Sequence, residues 1–154
     1  MKITDILGKQ AIKIGVEASD KEGALKELVE VLAKVKDIGD KKAIIKGLIE
    51  RESLGSTGIG QGIAIPHAKT DKLNELIAVL GISKKGVDFD ALDGEPVFIF
   101  FLLVAPKDSA GPHLKALAKI SRLLRDNFFC ELLKRAKDAS EVYEIIRNEE
   151  EKRH

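Results

Sequence analysis

Read for its apolar and polar positions, the chain divides into helical and extended segments of different character. Leu25, Leu28, Val29, Leu32 and Val35 recur at helical spacing behind Ser19-x-x-Glu22, which has the form of a capping box. A second helix is expected after Asp40, with Ile44, Ile45, Leu48 and Ile49 inward, ending near Arg51 or Glu52. The pattern then breaks. Gly55, Gly58, Gly60 and Gly62 fall within eight residues, which predicts a loop of unusual backbone freedom. It runs into Ile63-Ala64-Ile65-Pro66-His67, where Pro66 biases Ile65 away from helical geometry and puts His67 at or just past a strand end.

Leu76 to Ile82 reads as a strand, and Asp93-Gly94 as a turn. The run Val97 to Val104 shows no alternation, so it predicts a strand buried on both faces and covered by helices on each side. Pro106 closes it. Gly111 and Pro112 suit the N-cap and first position of a further helix, with Leu114, Leu117, Ile120, Leu123 and Leu124 inward. Two more helices are expected, near 127–137 and from Asp138-x-x-Glu141 onwards, with residues 149–154 as a charged fraying end. The fold class is α+β with three α/β/α layers, a small mixed sheet between helices, in one domain spanning 1–154.

Composition narrows the function. Apolar residues make up 44% and charged residues 33% of 154, which describes a soluble globular chain long enough to bury a core. The 26 Lys and Arg against 25 Asp and Glu leave a net charge of +1, without the basic stripe of a nucleic-acid binder. Cys130 is the lone cysteine, so no internal disulfide or Cys metal cluster is available, and it is expected to pack as a small hydrophobe. The longest apolar run, Val97 to Ala105, has nine residues, whereas a spanning helix needs about 20. The N-terminus is charged at once and does not read as a secretory signal. A cytoplasmic location is expected.

The chemistry gathers at residues 51–67. Glycine-rich loops can aim backbone N–H groups at an anion. Ser56 and Thr57 add hydroxyls, and Arg51 adds a fixed charge suited to phosphate. Nucleotide motifs fail here. Gln61 and Gly62 stand where a P-loop needs Lys and a hydroxyl, and Ile63 stands at the last glycine of a dinucleotide fingerprint. His67, with an ordinary pKa of about 6.5, offers a neutral ring whose lone pair can attack a phosphoryl group; it can equally be a polar residue in a turn. His113, just inside the start of a helix where N–H groups favour anions, is placed to donate to phosphoryl oxygens if the fold brings it near, and is otherwise a surface histidine near a cap. Two histidines without a third ligand make a poor metal site. Ser53, Ser56 and Ser109 lie in no G-x-S-x-G elbow. His154, at the chain end, is given no role.

The stretch Arg51-Glu52-Ser53-Leu54-Gly55-Ser56-Thr57-Gly58-Ile59-Gly60-Gln61-Gly62-Ile63-Ala64-Ile65-Pro66-His67-Ala68 resembles the active-site signature of the fructose/mannitol/nitrogen-regulatory class of IIA domains in the bacterial phosphoenolpyruvate-dependent sugar phosphotransferase system. Residues 87–97 and the segment His113-Leu114-Lys115-Ala116-Leu117-Ala118 extend the resemblance over essentially the whole chain. It implies that His67 is phosphorylated by the carrier protein HPr and passes the group to a IIB domain. Arg51 and His113 would stabilise the phosphoryl group, with Ser56, Thr57 and Gln61 shaping the cradle. Gln61 keeps the amide of the Asn found in many relatives on a longer arm. No metal, nucleotide or other cofactor is implied. Two roles follow: a relay for a fructose-like permease, which the segment 100–121 favours, or a nitrogen-regulatory protein whose phosphorylation state controls protein partners. Ile59 and Ile63 are candidates for apolar contact with those partners.

Overall fold

The computed structural model describes residues 1–152. Its centre is a mixed six-stranded sheet built on two long strands, β5 (Ile77–Val87) and β6 (Val97–Pro106), which pair antiparallel with Leu80 opposite Phe101. Every residue of β6 except Phe98 is buried, as a strand without alternation requires. β1 (Ile12–Ile14) runs parallel to β5 at one edge. On the other side of β6, β3 (Ile63–Ala64) and β4 (His67–Thr70) follow one another along it in parallel, opposite Ile99–Phe100 and Leu103–Pro106. Ile65 and Pro66 interrupt that line; Pro66 has no N–H to give, but its carbonyl still accepts from Leu103 N at 2.9 Å. β2 (Gly58–Gly60) pairs antiparallel with β3.

Helices cover both faces of this sheet, giving the three α/β/α layers. α2 (Lys21–Val35) and α3 (Lys41–Ser53) pack on each other and against β5 and β4. α4 (Ala110–Leu123), α5 (Asn127–Arg135) and α6 (Ala139–Lys152) pack against β6, β5 and β1, with the short α1 (Ile3–Ile6) against α4 and α6. Leu25, Leu28, Val29 and Leu32 are all fully buried. Gly81 of β5 lets α2 approach: a Cβ there would lie 2.6 Å from Leu28 Cδ2 and 2.9 Å from Val16 Cγ2.

Several boundaries differ from the sequence reading. α2 is capped by Asp20, whose carboxylate accepts from Gly23 N at 2.9 Å, rather than by Ser19 with Glu22; either residue can cap, and the Asp20 register won. α4 starts at Ala110 with Ser109 as N-cap, two residues before the Gly111 N-cap expected. Pro112 therefore sits third in the helix, where its missing N–H is still one the helix does not use. Leu114 falls on the solvent side of α4 and Ile49 on the outer side of α3 (39% exposed), so neither faces inward. The glycine-rich stretch is a tight β2–β3 hairpin turning at Gln61-Gly62, both at positive φ, rather than a loop. Residues 149–152 continue α6 instead of fraying, because the buried Glu150 carboxylate accepts from Ile3 N at 2.6 Å and Thr4 N at 3.2 Å, with Lys119 3.6 Å away. Asp138 caps α6, accepting from Glu141 N at 2.8 Å. Among the described residues, no helix is long and apolar enough to cross a membrane.

Candidate functional site

A cleft of about 550 Å³ opens where α3, β4 and the start of α4 meet. α3 contributes Gly47, Glu50 and Arg51, continued by Leu54 at its C-cap; this i, i+3, i+4, i+7 set forms one helical stripe. α4 contributes Ala110, His113, Leu114 and Leu117 by the same rule. β4 lies between them. Ala68 faces Gly47 of α3, where a Cβ would sit 3.7 Å away. Alternation then turns His67 and Lys69 toward α4, and Arg51 reaches across the strand edge to meet the ring.

His67 is held at both nitrogens. Nδ1 lies 2.9 Å from the carbonyl oxygen of Ile65. A carbonyl only accepts, so Nδ1 carries the proton and Nε2 the lone pair. Arg51 Nε donates to that Nε2 at 3.3 Å, and Arg51 Nη1 donates to the Gly55 carbonyl at 3.0 Å. Burial, and then the Arg51 charge, depress the His67 pKa below its ordinary value, against opposing pulls from the Ile65 carbonyl and Glu52. The ring is therefore neutral at pH 7. A neutral imidazole with one fixed proton and one aimed lone pair is a nucleophile.

His113 stands edge-on to His67, with ring centroids 5.5 Å apart and planes at 79°. It is almost fully buried, and its Nε2 has no hydrogen-bond partner. Its pKa is also depressed, by burial first and then by unfavourable electrostatic interaction with His67 and Lys69 on protonation. Buried ring nitrogens are normally satisfied, so this orphan marks a place where a polar ligand atom fits. Ala110, at the N-terminal end of α4 where backbone N–H groups lack helical partners, also lines the cleft.

Arg51, His67 and His113, far apart in sequence, are thus brought together at the cleft, whereas Ser56, Thr57 and Gln61 sit in the β2–β3 hairpin and the segment leading into it. Ser56 Oγ donates to the Phe89 carbonyl at 3.3 Å and accepts from Gly58 N at 3.0 Å. Thr57 is buried, with its hydroxyl on Glu52. Gln61 sits in the turn at the far end of the β3–β4 line, its N–H on Asp93 at 2.9 Å. None of the three lines the cleft. The N–H groups of Thr57, Gly58 and Gln61 are engaged by Glu52, Ser56 and Asp93 respectively. Ile63 is core, while Ile59 is half exposed.

Lys69 was missed by the sequence reading. A strand through His67 would have flagged it, two residues on and therefore on the same face. Cys130 is buried, with its thiol pushed up to about 11 by burial and Sγ 3.3 Å from the Leu124 carbonyl. His154 lies outside the described residues.

The chain resembles known proteins along most of its length. The chain is 38% identical to a nitrogen regulatory protein of Bradyrhizobium diazoefficiens over 95% of each chain. It is 40% identical to the fructose-specific EIIABC component of Bacillus subtilis over 95% of its own length, and spans 23% of that longer protein. The crystal structure of the nitrogen regulatory protein IIA-Ntr from Neisseria meningitidis superposes with a TM-score of 0.87 at 31% identity, covering 94% of this chain and 98% of that one. The model of the family described as phosphoenolpyruvate-dependent sugar phosphotransferase system, EIIA 2, matches residues 5–149, and the chain belongs to that family.

Proposed function

We propose that the chain is a phosphohistidine carrier that takes a phosphoryl group from HPr onto Nε2 of His67 and hands it to a fructose-like IIB component. The observation that carries this reading is the His67 ring itself, with Nδ1–H on the Ile65 carbonyl and the Nε2 lone pair beside Arg51 at the cleft. The lone pair attacks phosphorus as the donor's N–P bond breaks, and the donor imidazole leaves with that electron pair. The Nδ1 proton stays where it is. Arg51 moves from the lone pair to the phosphoryl oxygens, and His113 Nε2 and the first N–H groups of α4 take further oxygens. Such transfers depend on positioning and charge stabilisation, which this set supplies. Handing on is the same step in reverse.

A carrier must dock two proteins over one site. Leu54 and Leu114, 84% and 67% exposed, flank the cleft mouth and provide an apolar rim. Transient encounters of this kind usually bury less than about 1,200 Å².

A second reading, in which the phosphorylation state of His67 controls partner proteins, is supported by the likeness to a nitrogen regulatory protein along nearly its whole length. Incubation with phosphoenolpyruvate, enzyme I and HPr tests the shared core. Acid-labile label on the wild type and none on His67→Gln is expected; no label on the wild type, or full label on the variant, refutes it. Onward transfer to a fructose-type IIB then separates relay from regulator.

A further inference from the structure

Glu52 follows Arg51 in the last turn of α3 and is 7% exposed. A carboxylate this deep needs partners, and it has three contacts. Oε1 accepts from Thr57 N at 3.1 Å and meets Lys21 Nζ, from the start of α2, at 3.1 Å. Oε2 accepts from the Thr57 hydroxyl. Neither Glu52, Thr57 nor Lys21 lines the His67 cleft, so this charge does not touch a phosphoryl group there.

Two hydrogen-bonded paths lead from the clasp to His67. Along one, the Thr57 carbonyl accepts from Ile65 N at 3.0 Å, and the Ile65 carbonyl accepts from His67 Nδ1 at 2.9 Å. Along the other, Gly55 N donates to the Glu52 carbonyl at 3.1 Å, and the Gly55 carbonyl accepts from Arg51 Nη1. Arg51 Nε then reaches His67 Nε2. Both ring nitrogens are therefore held by groups whose places depend on residues 54–57. Within that segment Leu54 projects into solvent and a Cβ on Gly55 would meet nothing, so the side-chain anchors are Ser56 on the Phe89 carbonyl and the Glu52 clamp on Thr57.

We propose that Glu52 is a positioning residue for phosphoryl transfer: by clamping Thr57 it fixes the 54–57 segment, and through it the Ile65 carbonyl that sets the His67 tautomer and the Gly55 carbonyl that steers Arg51. This rests on the reading of His67 as the phosphoryl acceptor.

Long-range ¹H–¹⁵N spectra of the histidine rings, with single-turnover phosphorylation from phospho-HPr, test it on the whole chain. Wild type is expected in the Nδ1–H form. Glu52→Ala and Thr57→Val are expected to show a tautomer mixture at His67 and to slow phosphorylation about 10- to 100-fold, the usual scale for groups that orient a reacting side chain. Thr57→Ser, which keeps the hydroxyl, restores both. A folded Glu52→Ala or Thr57→Val chain with the wild-type tautomer and a rate within about twofold overturns the proposal. If Glu52→Ala does not fold, the near-isosteric Thr57→Val decides. If the wild type accepts no phosphoryl group, the functional reading fails, while the tautomer comparison still judges the clasp.

Discussion

Replacing Arg51 with Met removes the charged group that donates to His67 Nε2. In the free protein Arg51 contributes a charged donor to His67 Nε2 and a second bond to Gly55. In the transfer it is expected to trade the first for phosphoryl oxygens. A hydrogen bond involving a charged group is worth about 1.5–3 kcal/mol net. Losing one such bond in the transition state slows phosphorylation about 10- to 160-fold, at 1.36 kcal/mol per decade. The offset is that the variant's lone pair is unmasked at rest, so the observed loss is expected toward the lower end. Arg51→Lys keeps the charge as a single point that cannot span Nε2 and the Gly55 carbonyl together, and recovers only part of the rate. A second readout fixes the cause. The Arg51 charge is one of the two influences that depress the His67 pKa, so Arg51→Met raises that pKa toward its ordinary value in an NMR titration. Rapid-quench phosphorylation by phospho-HPr measures the rate. A variant within about threefold of wild type, with an unmoved His67 titration, would refute the assignment of Arg51 to the phosphoryl group.

Three further outcomes are expected. Folded-state pKa values of His67 and His113 lie below their unfolded values, so the unfolded chain binds more protons between the two. Their contribution is complete above about pH 6.5, the ordinary histidine value, and is lost as pH falls toward the folded pKa values; urea midpoints should drop over that window, and a His67→Gln/His113→Gln chain with the same slope would contradict this. Gly81→Ala forces a methyl group against Leu28 and Val16 and should cost about 1–3 kcal/mol by denaturant melting, as overpacking does, while the folded fraction still accepts phosphate on His67. Glu150→Ala strands the N–H groups of Ile3 and Thr4 and should cost about 1–3 kcal/mol, with faster proteolytic removal of the first residues; unchanged cleavage there would show that α1 is held by packing alone.

Local pattern alone determined much of this protein. The stripe Leu25–Leu32 and the unalternating run of β6 were legible because burial imposes a period on the chain that neighbours cannot disguise. The His67 signature was legible too, since a long match of residue types needs no coordinates. The rest depended on contacts between distant segments. Whether Asp20 or Ser19 caps α2, and where α4 begins, turned on competing caps of similar strength. That Ser56, Thr57 and Gln61 bond to Phe89, Glu52 and Asp93 was not legible either, because no spacing rule connects those residues to them. The meeting of Arg51, His67 and His113 required α3, β4 and α4 to converge at one end of the sheet. Sequence singled out the His67 ring; only tertiary structure could say which of its nitrogens carries the lone pair, because that is set by the Ile65 carbonyl and the reach of Arg51.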